Sequence, residues 1–442
     1  VEILEADALT AIQTHLRQGA SLLLYQAVFQ DEVGVCFFDL LHALAAPARD
    51  PAARTIALQA YGHWFRAIAA QQHSWQTYVR SRLLLDENPF TQQAQRLAFQ
   101  ELPPALVAAA QHDLRILQQL ATCEGNCLSH WLQTIYHLET APIAWHLSNS
   151  DSLPLCLEFE IATDWGLVVE PLAAHYHQQG TGRLAQYTAF RWQAGELVGV
   201  PHPDPVQIAD LVGYEWQKAA LVKNTEFLLN GSPALHVLLY GSRGSGKSSL
   251  VKALLNHYHY RGLRLIEVAK SDLIALPTIV EPLRALPQKF MLFVDDLSFE
   301  ADDDAYKALK VVLEGNITAR PQNVVVYATS NRRHLIREFF GDRPRPQDAD
   351  EVHQWDTVQE KLSFSDRFGL TLTFEPADQT TYLEIVRHLA AQAKLSLNPE
   401  ALDAQALQWA TRHNGRSGRT ARQFIDFLQA DLATPLKNQA EG

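Results

Sequence analysis

The run Gly241-Ser242-Arg243-Gly244-Ser245-Gly246-Lys247-Ser248 constrains this chain more than any other segment. It follows Leu235-His236-Val237-Leu238-Leu239-Tyr240, a short apolar stretch of the kind a buried parallel strand requires. It precedes Leu250, Val251, Ala253, Leu254 and Leu255, which continue as a helix. A G-x4-G-K-S pattern set between a strand and a helix is a phosphate-binding loop. Its glycines let backbone N–H groups turn toward a phosphate chain, and the helix N-terminus adds positive potential. Residues Gly241 to Ser249 are therefore the expected phosphate-contacting segment, with Lys247 reaching the outer phosphates of ATP and the Ser248 hydroxyl holding Mg²⁺.

Hydrolysis needs more than this loop: a carboxylate near the metal and a group that orients water. Phe290-Met291-Leu292-Phe293-Val294-Asp295-Asp296 supplies a buried strand ending in two acids. Asp295 is the expected metal carboxylate, acting through the metal's water shell, and Asp296 the water-orienting one. A third apolar run, Asn323-Val324-Val325-Val326-Tyr327-Ala328, ends in Thr329-Ser330-Asn331. Taken alone, that tripeptide is ordinary turn chemistry. As the next strand tip after the acids, it offers the Asn331 amide to both the γ-phosphate and the attacking water.

Composition bounds the rest. At 442 residues, two or three domains are expected. A hydrophobic fraction of 47% with 19% charged residues describes a globular chain. The formal net charge of -12 argues against a sequence-wide affinity for nucleic acid or anionic membrane. Few cysteines (Cys36, Cys123, Cys127, Cys156) fit a reducing, cytoplasmic setting. No apolar run approaches the roughly 18–20 residues of a membrane span. No signal peptide is visible at the N-terminus, and Met291 is the only methionine, so the native start is expected to lie outside this sequence.

Residues 1–150 read as a helical domain: Leu106, Ala110, Leu114, Leu117 and Ala121 lay one apolar stripe along a helix. Residues 151–205 change texture. Leu155, Leu157, Phe159 and Ile161 alternate with polar positions as a strand does, and Ala194-Gly195 sits between two short strands as a hairpin turn. A small β-containing linking element is expected there, closed by Pro201-His202-Pro203-Asp204-Pro205. From 206 to 376 strands and helices alternate, predicting a parallel α/β core, and 377–442 reads as helices only.

This order of motifs resembles the AAA+ ATPases: phosphate loop, acidic strand, polar strand tip, then arginines. Asp210-Leu211-Val212-Gly213-Tyr214-Glu215 is similar to the segment that covers adenine in that superfamily, which assigns Val212 and Gly213 to the base. Ser365-Asp366-Arg367-Phe368-Gly369-Leu370 looks like the segment carrying the arginine finger, so Arg367 is expected to act in a neighbouring subunit's site. The C-terminal helices resemble the AAA+ lid, where Arg416-Ser417-Gly418-Arg419-Thr420-Ala421-Arg422 places Arg419, or Arg422 one turn on, as second sensor. Asp295-Asp296-Leu297-Ser298-Phe299-Glu300 and Ala328-Thr329-Ser330-Asn331-Arg332-Arg333-His334-Leu335-Ile336 narrow the likeness. Together with Ser417-Gly418-Arg419 they resemble one bacterial group of stand-alone AAA+ ATPases of unassigned purpose, the domain of unknown function 815. The implied fold is a P-loop parallel sheet with a helical lid, preceded by a mainly helical N-terminal domain.

Two departures shape the expected activity. The superfamily's usual acid pair is Asp-Glu, and this chain has Asp295-Asp296, which leaves Glu300 as an alternative water-activating group and predicts modest turnover. Residues Ala269 to Pro277, after the second strand, lack the aromatic–aliphatic–glycine pore loop of protein-threading motors. The resulting expectation is a Mg-ATP-binding ATPase that assembles into a homo-oligomeric ring, such as a hexamer. It would remodel or switch a macromolecular partner held by the N-terminal domain, with no membrane role. The alternatives are a nucleic-acid-associated loader and a nucleotide-gated binding module with little turnover.

Other constellations are weaker. Cys123, Cys127 and His130 have helical metal-ligand spacing, but small buried residues are the expected reading. Gly180-Thr181-Gly182 reads as a turn, Tyr187, Phe190 and Trp192 as hairpin core, and Asp342–Glu351 as a loop insertion.

Overall fold

A computed structural model describes residues 2–47, 51–147, 154–299, 304–314, 320–331, 335, 364–395, 397–413 and 415–433. Glu300, Arg332, Arg333, His334 and the Asp342–Glu351 loop lie outside the described residues. The chain divides into two compact units, residues 1–186 and 187–442.

The first unit is helical. The expected stripe is realised in the helix Pro104–Ala121, where Ala110, Leu114, Leu117 and Ala121 are buried. Its core is strongly aromatic: Trp75 stacks on Phe37 with ring centroids 4.2 Å apart and on Tyr78 at 5.2 Å. One buried charge organises the chain entry, because the Asp113 carboxylate accepts hydrogen bonds from the backbone N–H groups of Leu23, Leu24 and Tyr25.

The strand expected at Leu155–Ile161 is instead the helix Pro154–Ile161. A run of this length satisfies either period, and packing decides it: Phe159 is buried, its ring 4.9 Å from that of Trp165. Segment 151–205 is accordingly divided between the units, its helices lying with the first and its hairpin with the second. The helix Gly125–Tyr136 begins between the two cysteines, and Cys123 just before it is buried in the core.

The second unit is built on a seven-stranded sheet. Its strands are β1 (Ala189–Gln193), β2 (Glu196–Gly199), β3 (Val237–Gly241), β4 (Leu263–Glu267), β5 (Lys289–Val294), β6 (Val324–Ser330) and β7 (Leu370–Phe374). Their order is β2-β1-β4-β5-β6-β3-β7, parallel throughout except for the hairpin β1–β2. Ala194 and Gly195 both take positive φ, as a two-residue hairpin turn demands. The hairpin extends the sheet by pairing β1 with β4. Strands β5 and β6 are buried along almost their whole length, as strands covered on both faces must be.

The strand order brings the C-terminal tips of β3, β5 and β6 side by side, and ligands of open parallel sheets bind at such tips. Helices Gln379–Gln392, Pro399–Arg412 and Gly418–Ala433 follow and close a separate small core around Tyr382, Val386, Ala406 and Phe424.

Candidate nucleotide site

The phosphate loop leaves β3 through Gly241, whose φ of +133° and surroundings exclude a side chain: a Cβ there would lie 2.1 Å from the Phe374 carbonyl oxygen. Ser242 N–H then donates to that same carbonyl at 2.8 Å, tying the start of the loop to the end of β7. The helix Lys247–Tyr258 begins after Gly246 in left-handed conformation, with no side chain capping its first turn. Its leading N–H groups are thus left for a ligand, and the helix dipole favours an anion.

Lys247 is 6% exposed and folds back so that Nζ donates to the carbonyls of Gly241 at 3.1 Å and Ser242 at 2.7 Å. Burial pushes its ammonium pKa down. The carboxylates of Asp295 and Asp296 counter this, and the Arg419 guanidinium adds to it. A phosphate in the loop would supply the anion that this half-compensated cation lacks.

Asp295 and Asp296 follow directly after β5. Asp295 Oδ1 accepts from the Ser248 hydroxyl at 2.6 Å and from the Thr329 hydroxyl at the tip of β6. Asp296 has φ +50°, in the left-handed region where aspartate is better tolerated than most residues. Its carboxylate accepts from Asn331 Nδ2 at 2.6 Å. Ser248, both acids and the strand-tip amide therefore form one continuous hydrogen-bonded chain from the first turn of the helix Lys247–Tyr258 across the tips of β5 and β6, the Asp296 N–H donating to Asp295 Oδ1 at 3.2 Å.

These groups line a cavity of about 600 Å³, within the range of small-ligand sites. Its floor is Arg243 to Ser249, with Asp295, Asp296, Thr329 and Asn331 on the sheet side. Leu211, Val212, Gly213 and Tyr214 form another wall. That wall is held in place because Lys218 Nζ donates to the Leu211 carbonyl at 2.5 Å and Tyr214 Oη to the Glu375 carbonyl at 2.5 Å. Ile385 and Leu389 come from the first lid helix, while Arg419 and Arg422 come from the last. Arg419 N–H also donates to the Gly244 carbonyl at 3.3 Å, so the lid touches the apex of the loop.

The cavity brings together nearly every residue the sequence nominated. Gly241 and Ser242 sit just behind it, offering their carbonyls to Lys247. Both arginine candidates for the second sensor reach it. Arg367 is elsewhere, at 2.5 Å from Glu314 Oε1 in an ion pair, and does not line the cavity of its own chain. Thr329 and Lys218 carry geometry that the sequence reading passed over. A hydroxyl one residue beyond a buried strand core, opposite two acids, was the available signal for Thr329.

The donor set suits magnesium nucleotide. A serine hydroxyl beside a carboxylate is the hard oxygen chemistry that Mg²⁺ takes alongside phosphate oxygens and water. The apolar walls Leu211, Val212, Ile385 and Leu389 suit a flat base.

Comparison with known proteins adds the following. The replication factor C large subunit of Staphylothermus marinus is 41% identical over 69 residues, covering 15% of this chain and 16% of that protein. The chain thus spans only a small part of that curated relative's length. Among solved structures, the RuvB Holliday junction branch migration motor of Thermotoga maritima shares 14% identity at a TM-score of 0.34, over 52% of this chain and 66% of that one. The FIGL-1 AAA domain in complex with ADP shares 19% at 0.34, over 51% and 73%. The segments by which the sequence resembles the AAA+ ATPases, Arg367 apart, line or adjoin one cavity. The model of the family described as a protein of unknown function (DUF815) matches residues 185–432, more than half of the chain, and the chain belongs to that family.

Proposed function

We propose that the chain binds Mg-ATP in this cavity and hydrolyses it, with turnover stimulated by self-assembly. The observation that carries the reading is the hydrogen bond from Ser248 to Asp295, set beside the buried ammonium of Lys247. Together they prepare both ends of a phosphate site: a cation for the outer phosphates, and a hydroxyl–carboxylate pair for the metal. Bound Mg²⁺ would neutralise charge on the phosphate oxygens. Asp296, held by Asn331, is aimed to orient water, and Arg419 faces the same cavity as a further positive group.

Arg367 points to assembly. Its guanidinium is only 18% exposed and is paired with Glu314, outside its own cavity, so service to a phosphate requires another subunit. Taken with the resemblance of Ser365-Asp366-Arg367-Phe368-Gly369-Leu370 to an arginine-finger segment, this supports a homo-oligomeric ring. The partner it would remodel or switch is a protein held by the N-terminal unit. No lysine occurs before Lys218, and carboxylates well outnumber arginines in residues 1–186, a composition ill suited to phosphate backbones.

The test is phosphate release measured across a range of protein concentration. Specific activity should rise with concentration, vanish in Lys247→Ala, and stay low and flat in Arg367→Ala. A wild-type specific rate independent of concentration would sink the assembly reading, and Lys247→Ala turning over at the wild-type rate would sink the site itself.

A further inference from the structure

The hydroxyl of Thr329 stands between the two acids and engages both. Strands β5 and β6 run in register as far as Val294 opposite Ala328, and backbone pairing resumes when Leu297 N–H donates to the Thr329 carbonyl at 2.7 Å. Asp295 and Asp296 are the two residues left over, pushed out of the ladder, with Asp296 in the left-handed region. Such an excursion strands the Asp296 N–H away from any strand carbonyl. Thr329 Oγ1 accepts that N–H at 2.9 Å and spends its own proton on Asp295 Oδ1. Thr329 itself is 1% exposed.

We propose that Thr329 is the positioning residue of this site, fixing the metal carboxylate and the water-orienting carboxylate relative to one another. The inference rests on the nucleotide reading above. Asp295 Oδ1 takes three donors, from Ser248, Thr329 and the Asp296 N–H at 3.2 Å. Among the described residues none donates to the other oxygen of Asp295, which is left for the metal's water shell. The peptide joining the acids is held by the same hydroxyl, and this sets the direction in which the Asp296 side chain leaves the chain toward Asn331. A single oxygen thus acts as donor to one carboxylate and acceptor from the backbone of the next, a double duty that a hydroxyl performs and a methyl cannot.

The test compares the full-length wild type with Thr329→Val and Thr329→Ser. Valine keeps the branched shape and removes both hydrogen bonds; serine keeps the hydroxyl. For Thr329→Val, kcat should fall by about tenfold or more, because the two hydrogen bonds that fix the acids relative to one another are lost, while KM for ATP stays within about twofold. A second readout does not depend on turnover: the tightening of mant-ADP binding by Mg²⁺ over EDTA should be weakened in Thr329→Val. Thr329→Ser should recover both properties. A valine variant with wild-type kcat and wild-type Mg²⁺ response overturns the proposal, as does a serine variant as impaired as valine, because packing alone would then explain the loss. A wild-type protein that fails to bind mant-ADP at all refutes the nucleotide reading itself.

Discussion

Single residues next to the site carry constraints that chemistry at the phosphates does not reveal. His236, just before β3, is 2% exposed, and its Nδ1 accepts the backbone N–H of Val326 at 2.9 Å. A protonated imidazole has no lone pair to offer there. Burial, helped by the Arg320 guanidinium, pushes the His236 pKa down from 6.5 to about 3. The unfolded chain binds this proton near 6.5 and the folded one refuses it until about 3, so the contribution is complete above 6.5 and shrinks as pH falls. The slope for one such group is at most about 1.4 kcal/mol per pH unit. Burial raises the Asp86 carboxyl to about 6, which acts in the opposite sense, but it is common to both proteins in a comparison with His236→Asn. Urea unfolding at pH 7 and pH 5 should therefore show a larger loss in the wild type than in His236→Asn. Equal losses would mean that His236 is not the titrating group.

At the scale of elements, the strand leading into the phosphate loop is placed by a side chain on the helix Glu215–Leu229. Asn224 brackets Leu235, its amide donating to the Leu235 carbonyl at 3.0 Å and its oxygen accepting the Leu235 N–H at 2.9 Å. The same amide donates to the Tyr327 hydroxyl at 3.0 Å, which joins the helix to β6 as well. Asn224→Ala removes partners from two backbone groups and a phenol, and should destabilise by about 1–3 kcal/mol in urea titrations. Tyr327→Phe, which removes one buried hydroxyl, should cost about 1 kcal/mol. An alanine variant no less stable than the phenylalanine one would show that the bracket does not hold the strand. None of this is legible in sequence, where Asn224 is one polar residue on a helix. What was legible follows from burial: a strand covered on both faces must be a continuous apolar run, so β3, β5 and β6 announced themselves. Leu155–Ile161 did not, because alternation over so short a run also fits a helix. The hairpin was readable from Ala194-Gly195, but its place beside β4 was not, since edge pairing is made by backbone groups that every residue carries. Thr329 was hidden for a related reason: its role depends on a two-residue excursion in the neighbouring strand.

Across the whole molecule, each of the two units encloses a hydrophobic core within its own residues, around Trp64, Trp75 and Leu117 in the first and around Leu239, Leu254 and Met291 in the second. The cavity is lined wholly by residues of the second. A ligand bound to a folded unit stabilises that unit by mass action, by about 2.7 kcal/mol at a hundredfold excess over Kd. Calorimetry of the full chain should therefore resolve two transitions, of which Mg-ADP raises one and leaves the other in place. Lys247→Ala should keep both transitions and abolish the shift. That variant separates loss of the phosphate site from loss of the fold, because the hydrogen bonds of the Lys247 ammonium go to the loop carbonyls of Gly241 and Ser242. A single transition displaced as a whole by Mg-ADP would show instead that the nucleotide unit and the helical unit unfold as one cooperative body. The N-terminal helices would then share thermodynamically in nucleotide binding, which is the property a switch controlling a protein partner requires.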